Sequence, residues 1–280
     1  MLRISILCVV LFMMIGGIFL IKADKPVSAN GILTPEFVAA ALRHQESSCG
    51  QSLEVLYDRE ITKRDGSISK SSCRYVRAPE ALLLERKREG YTSNESIDRL
   101  SGEWRKLYAL SDSTTGEIER ITGGQFPDTQ CIDPQLYYLG HPGQLADAVK
   151  IGKIAEKTEP IEGHECLRIE IDASDHKYVV WIDPNVGFCP RRIEGIITRS
   201  GDVYSSTIFQ DYKAVGNGVW FPMRQIIESS WEGWPDGKLT TTNIVRDVKV
   251  GVGYPKQELI VKFPSGTRVL VGGKFSYFEP

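Results

Sequence analysis

Cys166 and His164, in the segment GHEC at 163–166, are the residues that come closest to a catalytic pair, with the cysteine as nucleophile and the histidine as its base. A Cys–His dyad requires hydrogen-bond contact, whereas residues two apart on one strand share a face but stand too far apart for good geometry. The chain also contains no G-x-S-x-G, H-E-x-x-H or Walker sequence. We therefore predict that the protein is not an enzyme and has no catalytic residue.

Three aspartates, Asp172, Asp175 and Asp183, cluster around one predicted hairpin and offer the oxygen ligands that calcium takes. All three fall at turns, where Asp is favoured because its carboxylate accepts hydrogen bonds from nearby backbone N–H groups. The other histidines are dispersed without the spacing of metal ligands, and no C-x-x-C pair occurs. The sequence thus predicts neither a metal site nor a cofactor.

The charge balance excludes one broad class of function. The 280 residues include 34 Lys plus Arg and 36 Asp plus Glu, which gives a net charge of −2. Nucleic-acid-binding domains are normally basic, so we expect no nucleic-acid partner. With 41% hydrophobic residues the chain can bury a full core, and its 26 Gly and 14 Pro favour a turn-rich β protein.

An uncharged run, ISILCVVLFMMIGGIFLI, occupies residues 4–21 between Arg3 and Lys22. This layout is typical of a secretory signal, and the small residues before position 30 allow cleavage after Ala29. The run is also just long enough to span a bilayer. Residues 1–29 are therefore predicted to be either a signal peptide or a membrane anchor, and both place residues 30–280, a single domain, outside the cytoplasm.

Five cysteines lie beyond the apolar run, namely Cys49, Cys73, Cys131, Cys166 and Cys189. An oxidising compartment permits disulfides, but an odd number leaves at least one thiol unpaired. We expect scattered buried thiols with at most one bridge, and the pairing stays open.

The order of elements is one helix, then strands, then a helical insert, then strands again. Thr34 as N-cap followed by Pro35 predicts a helix over 35–47. Period-two patterns follow, and short turns between them indicate an antiparallel meander. Two short helices are predicted at 132–139 and 143–149. Strands are predicted near 53–57, 71–77, 81–87, 104–110, 117–122, 153–158, 165–172, 177–183, 191–198, 203–212, 219–229, 238–250 and 258–263.

Several of these strands are apolar on both faces. Tyr178, Val180 and Ile182 point to one side, and Val179 and Trp181 point to the other. An antiparallel sheet with water on one side alternates cleanly between apolar and polar residues. One interpretation is that one face takes the N-terminal helix while the other lines a cavity; the alternative is that helices or further strands bury both faces.

Trp231 and Trp234 stand at the tip between two long predicted strands. Exposed aromatic residues at a loop tip can enter a membrane interface or grip an acyl chain. The alternative is that the two indoles pack across the mouth of the hairpin.

Three segments of the second half carry a family resemblance: VWIDPNVGFCPRRIE at 180–194, FQDYKAVGNGVWFP at 209–222 and FPSGTRV at 263–269. As an ordered set they resemble the LolA/LolB/RseB-like superfamily, the outer-membrane lipoprotein-sorting and lipoprotein-carrier-like proteins. The resemblance covers roughly residues 150–270, and the segments are turn residues and aromatic strand positions rather than an active site.

This resemblance implies a mainly β (α+β) fold. It is a curved antiparallel sheet or incomplete β-barrel of about 10–12 strands, with an N-terminal helix and a short helical insert covering an apolar cavity. The cavity would take the acyl chains of lipids or lipidated proteins. The predicted cavity residues are Trp104, Tyr178, Val180, Ile182, Phe209 and Trp220.

The function implied is a non-enzymatic, periplasmic carrier or acceptor of an acyl lipid or a lipidated protein. Trp231 and Trp234 are, from their position in the sequence, the candidates for contact with a membrane or with the cargo. A retained anchor at 4–21 prevents shuttling and favours a membrane-fixed acceptor or sensor. The alternatives are an RseB-like sensor or regulatory module that binds a protein partner and a structural envelope protein.

Overall fold

The structure is a computed structural model that describes residues 33–50, 52–63, 65–110, 113–120, 132–134, 145–230 and 238–278. Its helices are α1 (Pro35–Ser48), α2 (Leu145–Lys150) and α3 (Lys256–Leu259), with a 3₁₀ turn at Pro184–Val186. Its strands are β1 (Leu53–Thr62), β2 (Ile68–Arg77), β3 (Ala81–Arg88), β4 (Tyr91–Asp98), β5 (Glu103–Leu110), β6 (Thr114–Arg120), β7 (Lys153–Ile154), β8 (Glu159–Ile161), β9 (His164–Ala173), β10 (His176–Asp183), β11 (Cys189–Ile197), β12 (Val203–Gly216), β13 (Val219–Ser229), β14 (Leu239–Val250), β15 (Arg268–Val271) and β16 (Lys274–Tyr277).

One large open sheet contains nearly all of these strands, in the order β16-β15-β6-β5-β4-β3-β2-β1-β14-β13-β12-β11-β10-β9-β7, and β8 pairs with β9. Strands β1–β6 form one antiparallel meander and β9–β14 form a second, and the two meanders join where β1 pairs with β14. Short connections produce this pattern because consecutive strands that are joined by tight turns must run antiparallel. The predicted mainly β fold with an N-terminal helix and a short helical insert is confirmed.

Helix α1 begins where the sequence predicts. Thr34 has an extended backbone, and its hydroxyl accepts a hydrogen bond from the N–H of Phe37 at 3.3 Å, while Pro35 occupies the first turn. The helix ends before Gly50, whose positive φ of 65° a residue with a side chain rarely adopts. Its buried positions, among them Val38 and Leu42, recur at helical spacing and place one side of the helix against the sheet.

Several predicted elements need correction. Residues 258–263 are not a strand, because Pro255 starts the short helix α3 there. The segment at 91–98 forms β4 although its sequence, YTSNESID, is too polar to suggest a buried strand. Residues 153–158 contain only the two-residue β7, and β15 pairs with β6 in parallel. These short and polar strands bring the number to 16, above the 10–12 expected.

The predicted helix at 143–149 is confirmed as α2, whereas 135–139 of the other predicted helix lie outside the described residues. Within the described ranges, no helix is both long enough and apolar enough to cross a membrane. The apolar run at 4–21 and the predicted cleavage position lie outside those ranges.

Candidate functional site

The sheet face that α1 covers, called here the helix face, carries an apolar cluster contributed by four adjacent strands. Four of the six predicted cavity residues, Tyr178, Val180, Ile182 and Phe209, lie in this cluster, and each is at least nine-tenths buried. They pack against α1 and α2 rather than against a second sheet. The members of this helix-covered cluster are Val38, Ala39, Leu42, Leu145, Ala146, Ala148, Val149, Leu167, Ile169, Ile171, Tyr178, Val180, Ile182, Phe188, Ile193 and Phe209.

The opposite face of β10 is also buried. Val179 and Trp181 pack with Cys166 and with Ile161 of β8. The indole N–H of Trp181 donates to Glu159 Oε2 at 2.8 Å, which satisfies the polar end of a buried aromatic side chain. Of the two interpretations of the two-sided strands, the structure therefore supports burial of both faces, by helices on one side and by a short strand on the other.

In the described ranges, the polar contacts between α1 and the sheet come from Gln45 and, near the end of the helix, from Glu46, which pairs with Arg77 of β2. Gln45, itself buried, donates from Nε2 to the carbonyl oxygen of Gly218 at 3.0 Å and accepts from the N–H of Trp220 at 2.9 Å. Arg43 pairs with Asp147 of α2 at 2.5 Å, but both side chains are about half exposed, so this pair contributes little to stability. We call the two hydrogen bonds of Gln45 the Gln45 clamp.

Gly187 makes room for this clamp. Its φ is +69°, and a Cβ at this position would collide with the side-chain amide of Gln45. Only glycine both adopts this positive φ easily and leaves room for the Gln45 amide. The turn in the 180–194 segment, which carries part of the family resemblance, therefore also helps to position α1 on the sheet.

The other two predicted cavity residues lie elsewhere. Trp104 is buried on β5, in the other meander, and pairs across the strands with Ile97. Trp220 is half-buried on β13, between Val219 and Phe221. Because side chains alternate along a strand, its indole lies on the face opposite to the one that Val219 and Phe221 share. Neither tryptophan belongs to the helix-covered cluster, and their role in a cavity stays a prediction.

A second apolar cluster, called here the central cluster, lies on the same helix face where the two meanders join. Its members are Cys49, Leu53, Val55, Tyr57, Cys73, Tyr75, Leu82, Ile132, Val219, Phe221 and Val245. The helix-covered and central clusters thus extend the apolar face across strands of both meanders.

A buried polar chain crosses the sheet on β1, β14 and β13. Arg59 Nε donates to Asn243 Oδ1 at 3.1 Å, and Asn243 Nδ2 donates to Gln225 Oε1 at 2.6 Å. All three side chains are almost fully buried. Sequence reasoning missed this chain because its members come from strands far apart in sequence, and each looks solvent-facing on its own strand.

Four of the described cysteines are buried and form no disulfide: Cys49, Cys73, Cys166 and Cys189. Burial raises the pKa of the Cys49 thiol to about 11 and that of Cys166 to about 12, and it also raises the pKa of Cys189. At neutral pH these three therefore carry the proton and are poor nucleophiles. Cys131 lies outside the described residues, so the predicted odd count and its pairing stay open.

The residues singled out for chemistry around His164 have structural partners. Cys166 Sγ donates to the backbone carbonyl oxygen of His164 at 3.3 Å, whereas the His164 imidazole Nδ1 lies beside Arg191 NH2 at 3.5 Å. Asp183 is fully buried; its Oδ2 accepts from Arg191 at 2.9 Å, and its Oδ1 caps the following 3₁₀ turn by accepting from the N–H of Asn185. Asp172, by contrast, is exposed beside Lys153. The three aspartates therefore do not converge.

A cleft of about 410 Å³ opens where α1 ends, and its lining includes Cys49 and Arg77. The Arg77 side chain is almost fully buried; Nε donates to Asp133 Oδ2 at 2.7 Å and NH1 to Glu46 Oε1 at 3.3 Å. These carboxylates compensate the guanidinium charge, so the cleft is an anchoring point between α1 and β2 rather than a free cationic site.

Trp231 and Trp234 lie outside the described residues; β13 ends at Ser229 and β14 begins at Leu239.

Comparison with solved structures identifies the fold. A DUF1329 family protein from Desulfovibrio piger superposes with a TM-score of 0.55 at 12% identity, over 81% of this chain and 98% of that one. A LolA superfamily protein from Nitrosomonas europaea superposes with a TM-score of 0.53 at 13% identity, over 82% of this chain and 99% of that one. No family model and no curated protein matches the sequence. The chain therefore has a LolA-like fold, as the resemblance at 180–194, 209–222 and 263–269 implied.

Proposed function

We propose that this protein, which has the LolA-like fold, is an exported, non-enzymatic binding protein for an acyl lipid or a lipidated protein. It acts in the periplasm, either released after cleavage near Ala29 or tethered by residues 4–21. The observation that carries the proposal is the helix-covered cluster, an apolar face of four strands that is closed by two helices with few polar contacts. The acyl chain occupies this face after α1 withdraws.

The energies of the two states are comparable, which a carrier requires. Closing α1 over the sheet buries Val38 and Leu42, each of which contributes about 1.5–3 kcal/mol on full burial, and forms the Gln45 clamp, which contributes about 2 kcal/mol. An acyl chain contributes about 0.8 kcal/mol per buried methylene, or about 8 kcal/mol for ten of them. The acyl chain thus offsets the loss of the helix contacts, and the remaining difference is small enough for the cargo to be released.

Two further observations support the proposal. The fold is shared with the LolA superfamily protein from Nitrosomonas europaea. The groups with the best potential for chemistry are held in structural roles, since the Cys166 thiol keeps its proton and Asp183 is held by Arg191. An acyl-binding function requires neither of them.

The helix face is tested with two cysteine substitutions on neighbouring positions of β10, Val180→Cys and Val179→Cys. The two valines are equally buried, at 0% and 1% exposure, but they point to opposite faces. Modification of each new thiol by a maleimide is followed by mass spectrometry of its own peptide, with and without saturating palmitate. We expect palmitate to slow modification at 180 at least tenfold and to leave 179 unchanged. Equal effects at the two positions would refute this placement.

Trp231 and Trp234 are proposed to contact the membrane or the cargo at the tip between β13 and β14. Replacing both with Ser is expected to lower co-sedimentation with phospholipid vesicles without changing the thermal unfolding midpoint. If the two indoles instead pack across the hairpin, the midpoint falls and vesicle binding stays the same.

A further inference from the structure

The helix face of β3, β4 and β5 becomes steadily more polar along the strands. Cross-strand pairing places its residues in three rows, each with one residue from each strand. The rows are Leu82, Ile97 and Trp104; Leu84, Glu95 and Lys106; and Arg86, Ser93 and Tyr108. An apolar row adjoining the central cluster is thus followed by a mixed row and then by a polar row. This gradient matches the two ends of an amphiphile.

Two buried polar atoms in these rows, on side chains outside the ion pairs of Arg86 and Glu95, have no hydrogen-bond partner in the part of the chain that the structure describes. They are the indole Nε1 of Trp104 and the hydroxyl of Ser93; these residues are 5% and 1% exposed. Buried donors and hydroxyls are normally satisfied, so each one that is not requires an explanation, of which a bound molecule is one. An indole N–H can only donate, so the missing partner of Trp104 is a hydrogen-bond acceptor.

Charged groups of both signs surround these atoms. Glu95 Oε1 lies 3.1 Å from Lys106 Nζ and 3.8 Å from an Arg86 nitrogen. On β6, Glu117 is the cross-strand neighbour of Lys106 and Glu119 that of Trp104. At the rim, Arg88 stacks over the ring of Tyr91, with 4.4 Å between the guanidinium carbon and the ring centroid. The face therefore carries three cationic side chains (Arg86, Arg88 and Lys106) and three carboxylates (Glu95, Glu117 and Glu119).

We propose that this face binds the head of a zwitterionic phospholipid, one that carries a phosphate and an ammonium group. The phosphate accepts from Ser93 and faces Arg86, because a guanidinium presents several donors to phosphate oxygens. The ammonium faces Glu95, the next residue after Ser93 on the same face of β4 and about 6.8 Å along the strand, a spacing that suits two charges joined by a two-carbon linker. Glu95 pairs with Lys106 and Arg86, and a zwitterionic head can replace both sides of these ion pairs with its own charges. A head that carries one sign of charge replaces only one side and leaves the opposite charge with a weaker partner.

Trp104 fits the inner end of this site. It shares the apolar row with Leu82 and Ile97, where the indole N–H can donate to the ester oxygens that join head to acyl chains. From this row the central cluster leads across β2 and β1 toward the strands that α1 covers. This inference rests on the proposed function, because it assigns the polar end of the ligand whose acyl chain the helix face takes.

The test compares three lipids with identical acyl chains: phosphatidylethanolamine, phosphatidylglycerol and diacylglycerol. Binding to the exported protein is measured by competition in native mass spectrometry. We expect wild type to prefer phosphatidylethanolamine at least tenfold over each of the others. Glu95→Gln keeps the shape of the side chain but removes its charge, so it is expected to abolish the preference over phosphatidylglycerol and to leave diacylglycerol binding unchanged.

Glu85→Gln is the matched control. Glu85 lies on β3 but points to the outer face, where it pairs with Arg74, so its replacement is expected to leave all three affinities unchanged. Lys106→Gln is a second variant in the site, and it is expected to weaken both phospholipids. Thermal unfolding of each variant shows whether it is folded.

The outcomes separate this inference from the proposed function. Equal binding of the three lipids overturns the head-group site and leaves acyl binding intact, whereas binding of none of them overturns both. Soluble phosphoethanolamine is the last competitor. If it displaces the lipid at the same concentration as phosphatidylethanolamine, the site takes a free small molecule and the assignment to a lipid is wrong.

Discussion

Removing the Gln45 clamp is the change that most sharply tests whether α1 is a separate cover over the sheet. Gln45→Ala deletes two hydrogen bonds, to the carbonyl of Gly218 and from the N–H of Trp220. A hydrogen bond between neutral groups contributes about 1 kcal/mol net, so the closed state loses about 2 kcal/mol. At about 1.4 kcal/mol per factor of ten, the equilibrium between closed and open α1 shifts toward open roughly 30-fold.

Native-state hydrogen exchange measures this shift segment by segment. If α1 opens without unfolding of the sheet, exchange of its amides becomes roughly 30-fold faster in Gln45→Ala, whereas the amides of β10 keep their wild-type rates. Lipid affinity is expected to rise by up to the same factor, because less free energy is then required to open the site. His44→Ala is the control: it changes the neighbouring, exposed position and is expected to change neither rate.

The contrary result is equally clear. If the amides of α1 and β10 accelerate together in Gln45→Ala, the helix leaves the sheet only when the whole domain unfolds. The helix face is then a closed core and not a binding face that opens. A lipid affinity equal to that of wild type in a variant whose α1 exchange is faster also contradicts the account.

Three further predictions concern stability and thiol reactivity. Arg77→Met leaves the fully buried carboxylate of Asp133 without its counter-ion, so urea unfolding is expected to show a loss of about 3–5 kcal/mol; a loss below 1 kcal/mol means that the ion pair is dispensable. A lysine of α3 and nearby backbone N–H groups lower the pKa of Asp98 to about 2, so its stabilisation is present above pH 4 and is lost as the pH falls toward 2. The melting-temperature difference between wild type and Asp98→Asn should therefore shrink over that range, and a difference that is constant with pH contradicts it. Because burial raises the pKa of Cys49 and Cys166 to about 11 and about 12, iodoacetamide at pH 8 should modify them only after denaturation, and rapid labelling of the native protein would show that they are accessible thiolates.

The sequence predicts the elements whose signals are local. The start of α1 follows from Thr34 and Pro35 because a cap and a first-turn proline act within one helical turn. The two-sided strand at 177–183 is recognisable because both of its faces are apolar. The sequence does not indicate which face of β10 the helices cover and which face β8 covers, because α1 lies more than a hundred residues before β10 and β8 is only three residues long.

Elements whose reasons are tertiary could not be predicted. β4 is polar because its helix-face residues Ser93 and Glu95 meet charged and polar neighbours on β3 and β5. The Gln45 clamp joins residues 173 and 175 positions apart, and no local pattern marks it. The parallel pairing of β15 with β6 likewise depends on a long connection that sequence periodicity does not constrain.

The candidate site was predicted in part. Tyr178, Val180, Ile182 and Phe209 come together because alternation on neighbouring antiparallel strands keeps them on one face. Trp104 is predicted only as one more large aromatic residue, and it is distant from the other four because it lies on β5, in the meander formed by β1–β6. That separation is what suggests a ligand with two chemically different ends.

Native mass spectrometry of residues 30–280, exported behind a cleavable leader and purified without detergent, tests the central claim most directly. The account predicts a protein that carries a bound amphiphile, which is released on collision and has the mass of an acyl lipid. A mass equal to that of the polypeptide alone, unchanged after incubation with fatty acids and phospholipids, would contradict it.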